Sequence, residues 1–75
     1  MPRTVVHGSR AEQTRTALLD ASEALFAERG FDATRLEDVA LRVGIRRASI
    51  VYYYRDKREL YDAVLAQLAQ HAPLA

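Results

Sequence analysis

Apolar positions along the chain fall into four blocks of helical spacing. Leu18, Ala21 and Leu25, with Leu19, Ser22 and Phe26 one position on, form one stripe; Leu36, Val39, Ala40 and Val43 form a second. Ile50 and Tyr54, four apart with Ile45 nearby, make a third, and Leu60, Tyr61, Val64, Leu65 and Leu68 a fourth. The pattern predicts an all-α protein, a small helical bundle with helices over about 10–29, 35–42, 46–53 and 57–70. Residues 1–8 contain Pro2 and Gly8 and no apolar periodicity, so they are read as a flexible tail ahead of a single domain over 9–75.

Helix starts are marked by a small oxygen-bearing residue followed three positions later by Glu, a pairing in which each side chain satisfies an orphan N–H. Ser9 with Glu12, Thr34 with Glu37 and Asp56 with Glu59 are the three instances. Helix ends are marked by Gly30 and Gly44, where glycine can turn the chain left-handed past the last helical turn. Between Val43 and Arg46 the connection is only about three residues, centred on Gly44. Two short helices joined this tightly, with glycine in the turn, make a helix-turn-helix.

Composition narrows the classes of function. Seventy-five residues allow one small domain, and 49% hydrophobic residues are enough for its core. There is no cysteine, which excludes disulfides and thiolate metal sites. No apolar run approaches the roughly 20 residues of a membrane span, and Arg3, His7 and Arg10 stand where a signal peptide would be apolar. A cytoplasmic protein without a membrane partner is the expectation. His7 and His71 are the two histidines, with no nucleophile pairing, metal-ligand spacing or phosphate loop around them, so neither catalysis nor a cofactor is expected.

The net charge is only +1, but its distribution is uneven. Arg46, Arg47, Arg55, Lys57 and Arg58 face one acid, Asp56, within a single short stretch, whereas Glu12 to Glu28 is mostly acidic. The stretch from Arg46 to Tyr54 has no carboxylate at all. An α-helix fits the major groove, where arginine can fork onto guanine and apolar side chains can pack on thymine methyls. With Ile50 and Tyr54 turned inward, Arg47, Ala48 and Val51 share the outward side and become the candidate base-reading residues. Thr34, Arg35, Arg46, Ser49, Tyr52, Tyr53 and Lys57 flank them as candidate contacts to the DNA backbone. Consecutive tyrosines equally suit a core or a protein interface, so a small helical protein-interaction module stays open as the alternative.

The ordered set Leu25-Phe26, Gly30-Phe31, Thr34, Val39-Ala40, Gly44-Ile45, Ser49-Ile50, Tyr53-Tyr54, Lys57 and Glu59-Leu60 resembles the TetR family of transcriptional regulators over residues from about Ala11 to Leu68. That resemblance implies a homeodomain-like three-helix core plus the start of a fourth helix, and sequence-specific binding of double-stranded DNA at a pseudo-palindromic operator, as a repressor. It also implies a homodimer and a small-molecule effector site, both in a C-terminal domain this chain does not hold; a truncated domain is thus the expectation. Arg35, Arg46, Ala48 and Val51 depart from the family pattern at positions where relatives meet DNA, so the target sequence is not inherited with the fold.

Overall fold

The computed structural model describes residues 9–71; the expected tail over 1–8, with Arg3 and His7, lies outside the described residues. Four helices follow one another: α1 (Arg10–Arg29), α2 (Leu36–Val43), α3 (Arg47–Ile50) and α4 (Lys57–His71). There is no strand among the described residues, and no described helix is long and apolar enough to cross a membrane.

Helix α1 begins as its capping residues dictate, the Glu12 amide donating to Ser9 Oγ at 3.0 Å. It buries Leu18, Ala21, Ser22, Leu25 and Phe26. Gly30 ends it with φ 86° and ψ 169°, a positive-φ but extended conformation rather than the left-handed helical one expected from the sequence. Phe31, just beyond, folds back: its ring stacks on Phe26 at 5.9 Å, and Tyr61 of α4 meets both rings edge-on at 5.1 and 5.0 Å.

Helix α2 starts one residue later than expected, and its cap is not the one read from the sequence. Thr34 is fully buried, its hydroxyl proton lying between the carbonyls of Gly30 (2.8 Å) and Leu25 (3.2 Å) at the end of α1. The Gly30 carbonyl lies past the last helical turn and Leu25 is in that turn, so the threonine finishes α1 instead of opening α2. The Asp38 carboxylate takes over, accepting the Arg35 N–H at 3.4 Å and the Arg29 guanidinium at 2.9 Å. Val39 and Ala40 are the buried face.

Gly44 has φ 91° and ψ 28°, the left-handed conformation, with its N–H bonded to the Ala40 carbonyl at 2.8 Å. Gly44, Ile45 and Arg46 thus form the three-residue turn. Regular helix in α3 covers only Arg47–Ile50, shorter than the expected 46–53. The chain continues to Tyr54 through tighter turns, in which the Tyr52 and Tyr53 amides donate to the Ser49 and Ile50 carbonyls three residues back. The Tyr54 N–H also reaches the Ile50 carbonyl, at 2.8 Å, which keeps Ile50 and Tyr54 on one side. The core gathers Leu18, Leu25, Val39, Ile50, Leu60 and Val64. On α4, Leu65 and Leu68 stay 45% and 42% exposed, so the outer part of its apolar stripe is uncovered.

Candidate nucleic-acid interface

The geometry of the outward surface begins with two anchors. Ile50 is fully buried and Tyr54 is 8% exposed, and burial pushes the Tyr54 phenol pKa above its ordinary value. With these two pinned inward, the other sides of the segment must face away from the core. Arg46, Arg47, Ala48, Val51 and Tyr52 are all exposed, Tyr52 at 83%. An isoleucine and a tyrosine, neither of which can reach DNA, therefore set the orientation of the candidate base-reading residues.

The flanking candidates divide. Arg35 is exposed at the start of α2, and Arg46 is exposed at the start of α3, where its carbonyl accepts the Ser49 N–H at 2.9 Å. Ser49 is half-buried, and so is Tyr53, whose ring carries the Arg15 guanidinium of α1 at 5.5 Å from its centroid. An open groove of about 450 Å³ brings Arg35, Glu37, Arg47, Asp56 and Lys57 together, joining the starts of α2, α3 and α4.

Two of the expected contacts have side chains engaged within the protein. The Thr34 side chain is sealed in the core as described above and offers nothing to an approaching phosphate. The Lys57 ammonium points into the protein, where it donates to the carbonyls of Phe31 (2.6 Å), Thr34 (3.0 Å) and Asp32 (3.4 Å) and lies 4.3 Å from the centre of the Phe31 ring. A lysine has three donors, and all three are engaged. Lys57 acts as a clamp between the first turn of α4 and the connection from α1 to α2.

Asp56 caps α4 as expected, accepting the Glu59 N–H at 2.9 Å, while Glu59 reaches back to the Arg55 N–H. That amide hydrogen bond holds the Asp56 carboxyl below the usual carboxylate range.

One residue of the groove escaped sequence reasoning. The Glu37 carboxylate of α2 stands 3.9 Å from Arg47 Nε, a charge pair with both side chains more than half exposed. The segment 46–54 is free of acids, but the surface it presents is not. No local pattern marked it, since Glu37 stands at the end of α2 remote from the Gly44 turn.

A family model described as bacterial regulatory proteins, tetR family, matches residues 18–64. The chain is 41% identical over 44 residues to the HTH-type negative transcriptional regulator of the biofilm operon icaADBC, IcaR, of Staphylococcus epidermidis, covering 59% of this chain and 24% of that protein. Against IcaR of Staphylococcus aureus it is 38% identical over 45 residues, covering 60% and 24%. The chain thus spans about a quarter of the length of these relatives. A crystal structure of a TetR-family transcriptional regulator from Mesorhizobium loti superposes with a TM-score of 0.76 at 25% identity, over 83% of this chain and 31% of the other.

Proposed function

The chain belongs to the TetR family of bacterial regulatory proteins, and from that premise we propose that it is the unit that reads a specific double-stranded DNA sequence, with the segment around α3 in the major groove. One observation carries the reading: Ile50 and Tyr54 are locked in the core while Arg47, Ala48 and Val51 stand together outside. Arg47 forks onto a guanine, and Ala48 and Val51 pack on neighbouring base edges. Arg35, Arg46, Ser49, Tyr52 and Tyr53 meet the phosphates on either side and set the register without choosing bases.

Repression is the regulatory sense we assign, on the strength of the negative regulators to which the chain is similar. Dimerisation, and with it a pseudo-palindromic operator, is proposed to come from the rest of a longer protein, as is the effector site, because the matched relatives are about four times as long as the aligned region. The protein works in the cytoplasm on this reading.

The test is selection of duplexes from a random library, followed by affinity measurements on the selected sequence. Arg47→Ala is expected to cost about 1–3 kcal/mol there and to relax preference at one base pair. An equal loss on selected and random duplexes would remove Arg47 from base reading.

A further inference from the structure

We infer that Glu37 is a positioning residue for Arg47 and through it a determinant of which base pair this surface prefers; the inference rests on the DNA-reading assignment above. The two acids that line the groove, Glu37 and Asp56, and the neighbouring Asp38 differ in what they are doing. Asp38 is committed to Arg29 and to the Arg35 N–H, and Asp56 to the Glu59 N–H at the start of α4. Glu37 makes neither a cap nor a hydrogen bond among the described residues, and its partner is the Arg47 guanidinium.

The direction of approach matters. Glu37 Oε1 lies 3.9 Å from Nε, on the inner edge of the guanidinium. At that distance it is a charge pair rather than a hydrogen bond, so it steers the group without consuming a donor. The two Nη groups at the far end remain available, and they supply the parallel pair of N–H donors that guanine O6 and N7 accept. An exposed pair of this kind favours one placement of the arginine by about two- to fivefold. That is a small factor, but it acts on the one side chain assigned to a hydrogen-bonded base contact.

The same carboxylate works against indiscriminate binding. It stands on the surface that any duplex approaches, where it repels phosphates regardless of sequence. Attraction lost on every sequence and regained through a correctly held arginine on one of them widens the difference between them. Glu37 therefore lowers affinity for random DNA and raises preference for guanine at one position.

Selection from a randomised duplex library with the full chain separates these effects. Wild-type protein is expected to enrich guanine at a position whose preference Arg47→Ala abolishes. In Glu37→Gln that preference falls about two- to fivefold while random duplex binds more tightly. Glu37→Asp keeps the charge on a side chain one methylene shorter, so random binding stays near wild type while the guanine preference falls. A purely structural role for Glu37 would not move these two readouts in opposite directions. If Glu37→Gln leaves the guanine preference intact, or alters base preference by the same factor in the Arg47→Ala background, the positioning role is wrong although DNA reading stands. If wild-type protein enriches no duplex, the DNA-reading assignment itself fails and this inference falls with it.

Discussion

Replacing Lys57 by methionine separates the two roles this lysine could have. The side chain keeps an apolar stem out to Cε but loses the ammonium with its three N–H donors and its charge. Two of its contacts, to the Phe31 and Thr34 carbonyls at 2.6 and 3.0 Å, have full hydrogen-bond length; the third, to Asp32 at 3.4 Å, is long. A hydrogen bond from a charged donor contributes about 1.5–3 kcal/mol. The contact with the Phe31 ring adds about 0.5–1 kcal/mol. Against this stands the rotamer freedom of an immobilised lysine, up to about 2 kcal/mol. Because Lys57 is only half-buried, the low end of each range applies and the net loss is about 2 kcal/mol. In a domain of this size that lowers Tm by about 8–16 °C, read by circular dichroism during thermal unfolding. Lys57→Arg should recover little of it, since a planar fork cannot aim at carbonyls on several sides. A phosphate contact predicts another result: stability unchanged, and a salt dependence of DNA binding flattened by about one unit in log–log slope. That combination would refute the clamp.

Other perturbations test the frame around the site. Ile50→Ala removes the fully buried anchor of α3 and should cost about 2–5 kcal/mol in denaturant unfolding, while Val51→Ala, one position on and 59% exposed, should leave stability nearly unchanged. Gly44→Ala places a Cβ in open space, so its cost is that of a left-handed backbone alone, about 1–2 kcal/mol by the same assay. The depressed pKa of Asp56 means its cap stabilises the fold above the ordinary carboxylate pKa and is lost as pH falls through the lowered value. Tm of wild type should therefore drop below about pH 4 more steeply than that of Asp56→Asn, which caps without titrating; parallel curves would show that the charge on Asp56 contributes nothing to the cap.

The fold was legible because its signals are local. Ser9 and Asp56 cap the helices they precede, Gly44 makes the turn, and the apolar stripes supply the core, all but Leu65 and Leu68 at the outer end of the last one. Thr34 misled because two overlapping caps were possible, Thr34 with Glu37 and Arg35 with Asp38. The choice between them was made by carbonyls at the end of α1, which a four-residue pattern does not include. Lys57 was out of reach for a related reason, its partners lying 23 to 26 residues earlier in the chain. The length of α3 was overestimated because helical periodicity cannot tell regular α-helix from the tighter turns that follow Ile50. Within the candidate site, exposure of Arg47, Ala48 and Val51 followed from the inward placement of their neighbours, whereas the acid beside Arg47 comes from another helix.

With a single turn of regular helix, α3 has too few internal hydrogen bonds to hold its own shape. Its conformation is borrowed from the floor on which Ile50 and Tyr54 rest, and no outward side chain takes part in that loan. Exchanging Arg47, Ala48 or Val51 for residues of other chemistry accordingly leaves the scaffold indifferent. On the DNA-reading assignment proposed above, the molecule can thus acquire a new target by single substitutions on one side of one turn, without first gaining stability.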